Sequence, residues 1–286
     1  MSKHNHFLKE KLKETPMFNF KALGRAAVSL LVACLVAELP AHAQSFTPLS
    51  VSIPGLRYSS VAWGDFDNDG DLDLLVCGDT GAGFVTRIYR NDGGGSFVDI
   101  QAGLPGISGG TVAWGDYNGD GYLDFALTGM TSTGRISRIY RNNGDGTFTD
   151  LNANLRGLDS SKLAWVDYDN DGDLDLFLVG YDGTNYFARL YRNDGNDTFT
   201  DTGITNLIGG ASGAAAWADF DNDGDMDLLF AGFTGDTSSG QSSRLYRNNN
   251  GSFTNITAIN LTAMSLCSAA WGDYDNDGNL DLLMAG

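Results

Sequence analysis

The sequence predicts an all-β fold, a β-propeller of four-stranded blades, and three observations lead to it. All five tryptophans recur in one register, at Trp63, Trp114, Trp165, Trp217 and Trp271, spaced 51, 51, 52 and 54 residues apart. A repeat of roughly 40 to 50 residues is the length of a propeller blade, whereas a β-helix repeats over a much shorter span. Between the tryptophans lie short apolar runs separated by Gly/Asn/Asp/Ser turns, and no stretch after residue 43 sustains a 3.6-residue apolar period. One run per unit is apolar at consecutive positions, as at Leu74, Leu75, Val76 and Cys77, so both of its faces need cover. Sheets stacked radially give every blade two neighbours, while a linear stack leaves two apolar ends in water.

Within a unit the elements follow one order. The first strand runs into the tryptophan (SSVAW, GTVAW, SKLAW), and the second is the apolar run after an acidic loop (LDLLVCG, LDFALTG, LDLFLVG, MDLLFAG, LDLLMAG). The third is an Arg-(Ile/Leu)-Tyr-Arg-Asn segment centred on Tyr89, Tyr140, Tyr191 and Tyr246, and the fourth opens at Phe97, Phe148, Phe199 and Phe253. Units begin near residues 59, 110, 161, 213 and 267 of a repeat domain spanning 44–286. Four are complete and a partial fifth stops at Gly286, the counterpart of Gly78, so the chain reads as a C-terminally truncated piece of a larger propeller. Phe46–Leu49 (FTPL) resembles a fourth strand that could pair with the last blade.

Residues 1–43 read as a signal peptide. Lysines precede an apolar run from Ala26 to Ala37, too short to span a bilayer as a helix, and Ala41-His42-Ala43 supplies a small-x-small cleavage pattern before Gln44. The expected mature chain has no transmembrane span and is secreted or at the cell surface. Leu31-Val32-Ala33-Cys34 offers a second reading, a lipobox that leaves a lipid anchor on Cys34. Cys77 and Cys267 then remain, too few for a disulfide framework, and each reads as a lone packed thiol.

Composition removes several functions. With 36 acidic against 18 basic residues and a net charge of -18, the chain lacks the basic surface that nucleic acid requires. After residue 43 it contains no His and no Glu, which excludes Ser-His-Asp and Cys-His catalysis, His-ligated zinc and Glu acid/base pairs. A non-enzymatic role is therefore expected.

The acid is concentrated in five loops: DFDNDGDLD from Asp65, DYNGDGYLD from Asp116, DYDNDGDLD from Asp167, DFDNDGDMD from Asp219 and DYDNDGNLD from Asp273. Oxygen-bearing side chains recur at positions 1, 3, 5 and 9, and Gly holds position 6. The candidate ligands are Asp65, Asp67, Asp69, Asp71 and Asp73; Asp116, Asn118, Asp120, Tyr122 and Asp124; Asp167, Asp169, Asp171, Asp173 and Asp175; Asp219, Asp221, Asp223, Asp225 and Asp227; and Asp273, Asp275, Asp277, Asn279 and Asp281. Position 7 varies, as a backbone-carbonyl ligand permits. Hard oxygens converging from alternate residues of a tight turn suit calcium better than magnesium, about one ion per loop and up to five. An EF-hand needs Glu at position 12 and flanking helices, which are absent here. Without a cation the crowded carboxylates would repel one another.

The DxDxDGxxD loop followed by an apolar strand and Gly, in register five times, resembles the FG-GAP or VCBS-type repeats of integrin-α-like calcium-binding propellers. The likeness covers nearly all of Ser45–Gly286, although Trp-Gly, Trp-Val or Trp-Ala stands where the family has Phe-Gly. It implies calcium loops on one rim and ligand binding on a face of the ring. The expected function is an exported, calcium-stabilised, non-catalytic recognition or adhesion module for a glycan or extracellular protein. The alternative is an accessory or scaffold domain of a larger surface protein or polysaccharide-degrading enzyme. Candidate ligand contacts are Arg87, Tyr89, Arg90, Arg138, Tyr140, Arg141, Arg189, Tyr191, Arg192, Arg244, Tyr246 and Arg247. The competing reading has these residues pairing between blades and capping the acidic loops.

Overall fold

The computed structural model describes residues 48, 49, 51–235 and 240–286. The signal-peptide and Cys34 readings lie outside the described residues. The described chain forms a β-propeller array with no helix. Blade 1 comprises β1 (Arg57–Gly64), β2 (Asp73–Asp79), β3 (Phe84–Asn91) and β4 (Phe97–Asp99); blade 2 comprises β5 (Ser108–Gly115), β6 (Asp124–Thr131), β7 (Gly134–Asn142) and β8 (Phe148–Asp150). Blade 3 comprises β9 (Asp159–Val166), β10 (Asp175–Tyr181), β11 (Tyr186–Asn193) and β12 (Phe199–Asp201); blade 4 comprises β13 (Ala211–Ala218), β14 (Asp227–Phe233), β15 (Gln241–Arg247) and β16 (Thr254–Asn255). The partial fifth pairs β17 (Ser268–Gly272) with β18 (Asp281–Ala285). Each complete blade is a sequential antiparallel meander.

In blades 1–4 the first strand starts two residues before the expected unit boundary, because a bulge interrupts its pairing there. Tyr58, Gly109, Ser160 and Ser212 occupy the left-handed region at that bulge. The expected strand at Phe46–Leu49 is not formed at Pro48 and Leu49; Leu49 instead lies against Gly95, in the β3–β4 turn of blade 1.

Both faces of the second strand are covered, as its unbroken apolar run requires. Leu75 and Cys77 join Phe125 and Leu127 in the core between blades 1 and 2. Ala126 joins Leu176 and Leu178 between blades 2 and 3, and Phe177 and Val179 join Leu228 and Phe230 between blades 3 and 4. Each of the leucine, valine and phenylalanine side chains contributes roughly 1.5–3 kcal/mol by leaving water. Cys77 is fully buried and unpaired, its thiol pushed up to about 11 by burial. Cys267 is also free, and partly buried.

The tryptophan register is a blade-to-blade device. Trp114 stacks on Phe66 of the preceding loop with its ring 6° from parallel, and its Nε1 donates to Ala62 O at 3.3 Å. Trp165 repeats this on Tyr117 and Ala113 O, and Trp271 on Phe220 and Ala216 O. In blades 1 and 2 the residue after the tryptophan must be small: a Cβ on Gly64 would meet Trp114 at 2.8 Å, and one on Gly115 would meet Trp165 at 2.6 Å. Blade 3 has Val166 at that place, and the next tryptophan, Trp217, is partly buried, with its Nε1 enclosed and without a hydrogen-bond partner. Trp63, which has no preceding blade beside it among the described residues, is 56% exposed.

Candidate functional site

Each acidic loop joins the first strand of a blade to the second, on the rim that also carries the turns between third and fourth strands. The first Asp caps its own loop. Asp65 accepts the N–H of Asp69 at 3.1 Å and of Gly70 at 3.0 Å, and loops 2 to 5 repeat the pair. Position 4 is left-handed throughout, with Asn68, Asn170, Asn222 and Asn276 at φ 57–60° and Gly119 at 68°. Asn and Gly are the residues that take this conformation readily, so Gly119 preserves the turn of loop 2.

Position 9 anchors the loop to the blade. Asp73, Asp124, Asp175 and Asp227 are 0% exposed. Each accepts the N–H of position 2 and the N–H of the asparagine ending the third strand; Asp175, for example, bonds Tyr168 N at 3.3 Å and Asn193 N at 2.8 Å. That asparagine then crosses to the previous blade: Asn142 donates to Phe66 O, Asn193 to Tyr117 O and Asn248 to Tyr168 O at 2.7–2.8 Å.

Carboxylate oxygens of positions 1, 3 and 9 converge within 4.8 Å of one another in Asp65/Asp67/Asp73, Asp167/Asp169/Asp175, Asp219/Asp221/Asp227 and Asp273/Asp275/Asp281. Oxygens bound to one calcium at about 2.3–2.6 Å lie at most about 5 Å apart, so the spacing fits. In loops 1, 3 and 4 the Oδ1 of position 3 (Asp67, Asp169, Asp221) is buried with no hydrogen-bond partner. A buried anionic oxygen without a donor is costly, and a divalent cation held among these carboxylates would satisfy it.

Position 5 (Asp69, Asp120, Asp171, Asp223, Asp277) is not among these groups of three, and its Oδ1 accepts the position-7 N–H at 2.8–3.0 Å. At position 7, Asp71, Asp173 and Asp225 are not among them either; Tyr122 and Asn279 hold that place in loops 2 and 5. In loop 2 no acidic group of three converges among the described residues: Asn118 satisfies itself on Asp120, donating to Oδ2 at 2.9 Å and accepting its N–H at 3.0 Å.

The Arg-x-Tyr-Arg segments point to structure. Tyr89, Tyr140, Tyr191 and Tyr246 are 1–5% exposed, so they do not face a ligand. Tyr191 and Tyr246 reach through the core to accept Arg156 N and Ile208 N. Arg87, Arg138 and Arg189 pair with Asp99, Asp150 and Asp201 of the neighbouring strand. Arg90 and Arg192 pair with Asp92 and Asp194, Arg141 with Asp197 and Arg247 with Asp221 of an acidic loop. Arg244 donates to Ser242.

On the opposite rim a cavity of about 580 Å³ opens where blades 3 and 4 meet. Tyr181, Tyr186 and Phe233 form an aromatic wall, with neighbouring rings 5.5 and 6.1 Å apart. Asp159, Ser160 and Ser212 supply polar groups. Asp159 accepts from Arg135 at 2.6 Å, and the Arg135 guanidinium lies over the Tyr181 ring. Sequence reading missed this site because its residues come from strand starts and hairpins with no shared motif. The bulge serines are its one local signal.

Titration of the anchoring aspartates gives a test. Burial pushes Asp124 and Asp175 up to about 7 and Asp227 to about 6, with nearby aspartates adding to the shift. Between about pH 4 and 7 the folded chain therefore binds more protons than the unfolded one, and metal-free stability falls as pH rises through that window. Asp182, held at about 2 by backbone N–H groups and Arg156, acts below it. In chelator the melting temperature is expected to be higher at pH 5 than at pH 7.5, and a cation taken up by the ionised carboxylates would raise it at pH 7.5 much more than at pH 5. A metal-free melting temperature that climbs from pH 5 to 7.5 would refute this.

A family profile described as FG-GAP-like repeat matches residues 65–127, 128–178, 167–230 and 231–284. Cartilage acidic protein 1 of Xenopus tropicalis is 28% identical over 185 residues, 60% of this chain and 28% of that protein. The Homo sapiens protein of the same name is 26% identical over 172 residues, 56% of this chain and 26% of its own length. The chain thus spans about a quarter of these relatives. Among solved structures, an Agrocybe aegerita lectin that recognises non-reducing terminal N-acetylglucosamine aligns with a TM-score of 0.54 at 19% identity, over 79% of this chain and 60% of the lectin. No helix among the described residues is long and apolar enough to cross a membrane.

Proposed function

The chain belongs to the FG-GAP-like repeat family, and from that premise we propose that it is an exported, non-catalytic recognition module, stabilised by calcium, that binds carbohydrate. The observation that carries the ligand class is the blade 3–blade 4 cavity. An apolar pyranose face packs against rings such as Tyr186 and Phe233, while Asp159, Ser160 and Ser212 offer hydrogen bonds to hydroxyl groups. The net charge of -18 favours a neutral sugar over an acidic one. The lectin of similar fold makes N-acetylglucosamine the first probe.

Asp67, Asp169 and Asp221 with their partners would hold the ions, which supply cross-links between loop and blade when bound. The described cysteines are free, so no disulfide among them does this work. Extracellular modules bind calcium with dissociation constants of roughly 10⁻⁴–10⁻³ M. At millimolar calcium each site then adds about 0.4–1.4 kcal/mol. Three loops raise the melting temperature by ~3–15 °C.

A glycan array, followed by calorimetry with the best neutral sugar, tests the ligand class. Tyr186→Ala is expected to weaken binding by about tenfold or more and Tyr186→Phe to retain it, since one loses a ring and the other only a hydroxyl. An array with no neutral sugar bound, or binding indifferent to Tyr186→Ala, contradicts the assignment.

A further inference from the structure

Neighbouring acidic loops are linked, and the link is the asparagine at position 4. Asn170 of loop 3 donates its Nδ2 to Gly224 O at 3.2 Å and to Asp225 Oδ1 at 2.6 Å, positions 6 and 7 of loop 4. Asp225 is itself buried, and its other oxygen accepts Asn250 N at 2.9 Å, so the amide closes a fixed network. Asn68 of loop 1 donates likewise to Gly121 O of loop 2 at 2.9 Å. Blade 2 breaks the chain of links, because Gly119 makes the same turn without a side chain to reach loop 3. Loop 2, the partner of Asn68, has no convergent carboxylate group.

Loops 3 and 4 are thus the one adjacent pair among the described residues that combines an unsatisfied position-3 oxygen in each member with a bridging amide. We propose that Asn170 couples these two sites, so that calcium fills them cooperatively while loop 1 fills on its own. The inference rests on the calcium reading above. Asn170 follows Asp169, a member of the convergent group, and an ion held there fixes the backbone that aims the amide. The amide then holds positions 6 and 7 of loop 4 in place, and the second ion meets a loop whose ordering cost is already met.

Backbone amide signals of the loop glycines read each site separately in the whole folded chain during titration with calcium chloride at 0.15 M salt. In the wild type Gly172 and Gly224 should shift together, steeper than a single-site curve, while Gly70 follows its own hyperbola. Asn170→Gly copies the residue of blade 2 and keeps the turn; it should separate the Gly172 and Gly224 midpoints or weaken the later site by about fivefold, leaving Gly70 unmoved. Independent hyperbolic curves for Gly172 and Gly224 in the wild type overturn the coupling whether or not the variant folds. Cooperativity that survives in a folded Asn170→Gly protein overturns the role of Asn170. No shift at any of these glycines overturns the calcium reading itself, and the coupling with it.

Discussion

Replacing Asp175 by Ala is expected to lower stability by about 3–5 kcal/mol in calcium, among the largest single-residue effects in this chain. The carboxylate is fully buried and accepts two backbone N–H groups, from Tyr168 on the loop and Asn193 at the end of β11. Without it both donors are stranded, at roughly 1–3 kcal/mol each, and the loop loses a member of its convergent group. Asn193 also holds Tyr117 O of blade 2, so the damage crosses the junction between blades. Removing a carboxylate that burial disfavours returns part of this cost, more at pH 7.5 than at pH 5. Asp175→Asn should lose about half as much, because its amide oxygen still accepts one N–H, and should abolish the calcium response of loop 3. Denaturant unfolding with and without calcium checks both variants, and equal stabilities for Asp175→Ala and wild type would contradict the anchoring role.

The second large effect is expected at a glycine. A Cβ on Gly157 would lie 2.3 Å from the carbonyl oxygen of Arg135 in β7, a backbone atom that cannot step aside. Gly106 and Gly209 meet the preceding blade in the same way, at Phe84 O and Tyr186 O. The contact sits beside the single β-bridge Ile136↔Leu158, which joins blades 2 and 3, and Leu158 is fully buried. Gly157→Ala should therefore part the two blades and cost about 2–4 kcal/mol. Gly55 is the counterpart in blade 1 with nothing within 4 Å, and Gly55→Ala should leave stability unchanged or slightly raised, as the unfolded chain loses freedom. Unfolding of the two variants side by side decides the matter; similar losses for both would mean that interblade approach is not what these glycines serve.

The repeat, the strand order and the acidic loops were legible because each is written in local chemistry: a tryptophan period, an apolar run and an Asp pattern. Which carboxylates converge was not legible. Asp69 and Asp67 look alike in sequence, and only the turn decides that one caps a backbone N–H with its Oδ1 while the Oδ1 of the other is buried without a donor. The tyrosines carried two readings, ligand contact and pairing between blades, and the motif alone does not show that they are buried. Strict alternation along Arg87-Ile88-Tyr89-Arg90 puts Tyr89 outside, yet both Ile88 and Tyr89 are buried, since each blade has two covered faces. The reasoning already applied to Leu74 and Leu75 extends to Ile88 and Tyr89. Gly106, Gly157 and Gly209 went unread because the backbone each one approaches belongs to the previous blade, 22 or 23 residues back in the chain.

Anomalous diffraction from crystals grown in millimolar calcium addresses the metal assignment most directly. Peaks are expected in the loops opening at Asp65, Asp167 and Asp219, about 2.3–2.6 Å from Oδ1 of Asp67, Asp169 and Asp221, with none in the loop opening at Asp116. Calcium-free loops in which those three oxygens are bound by protein donors would contradict it.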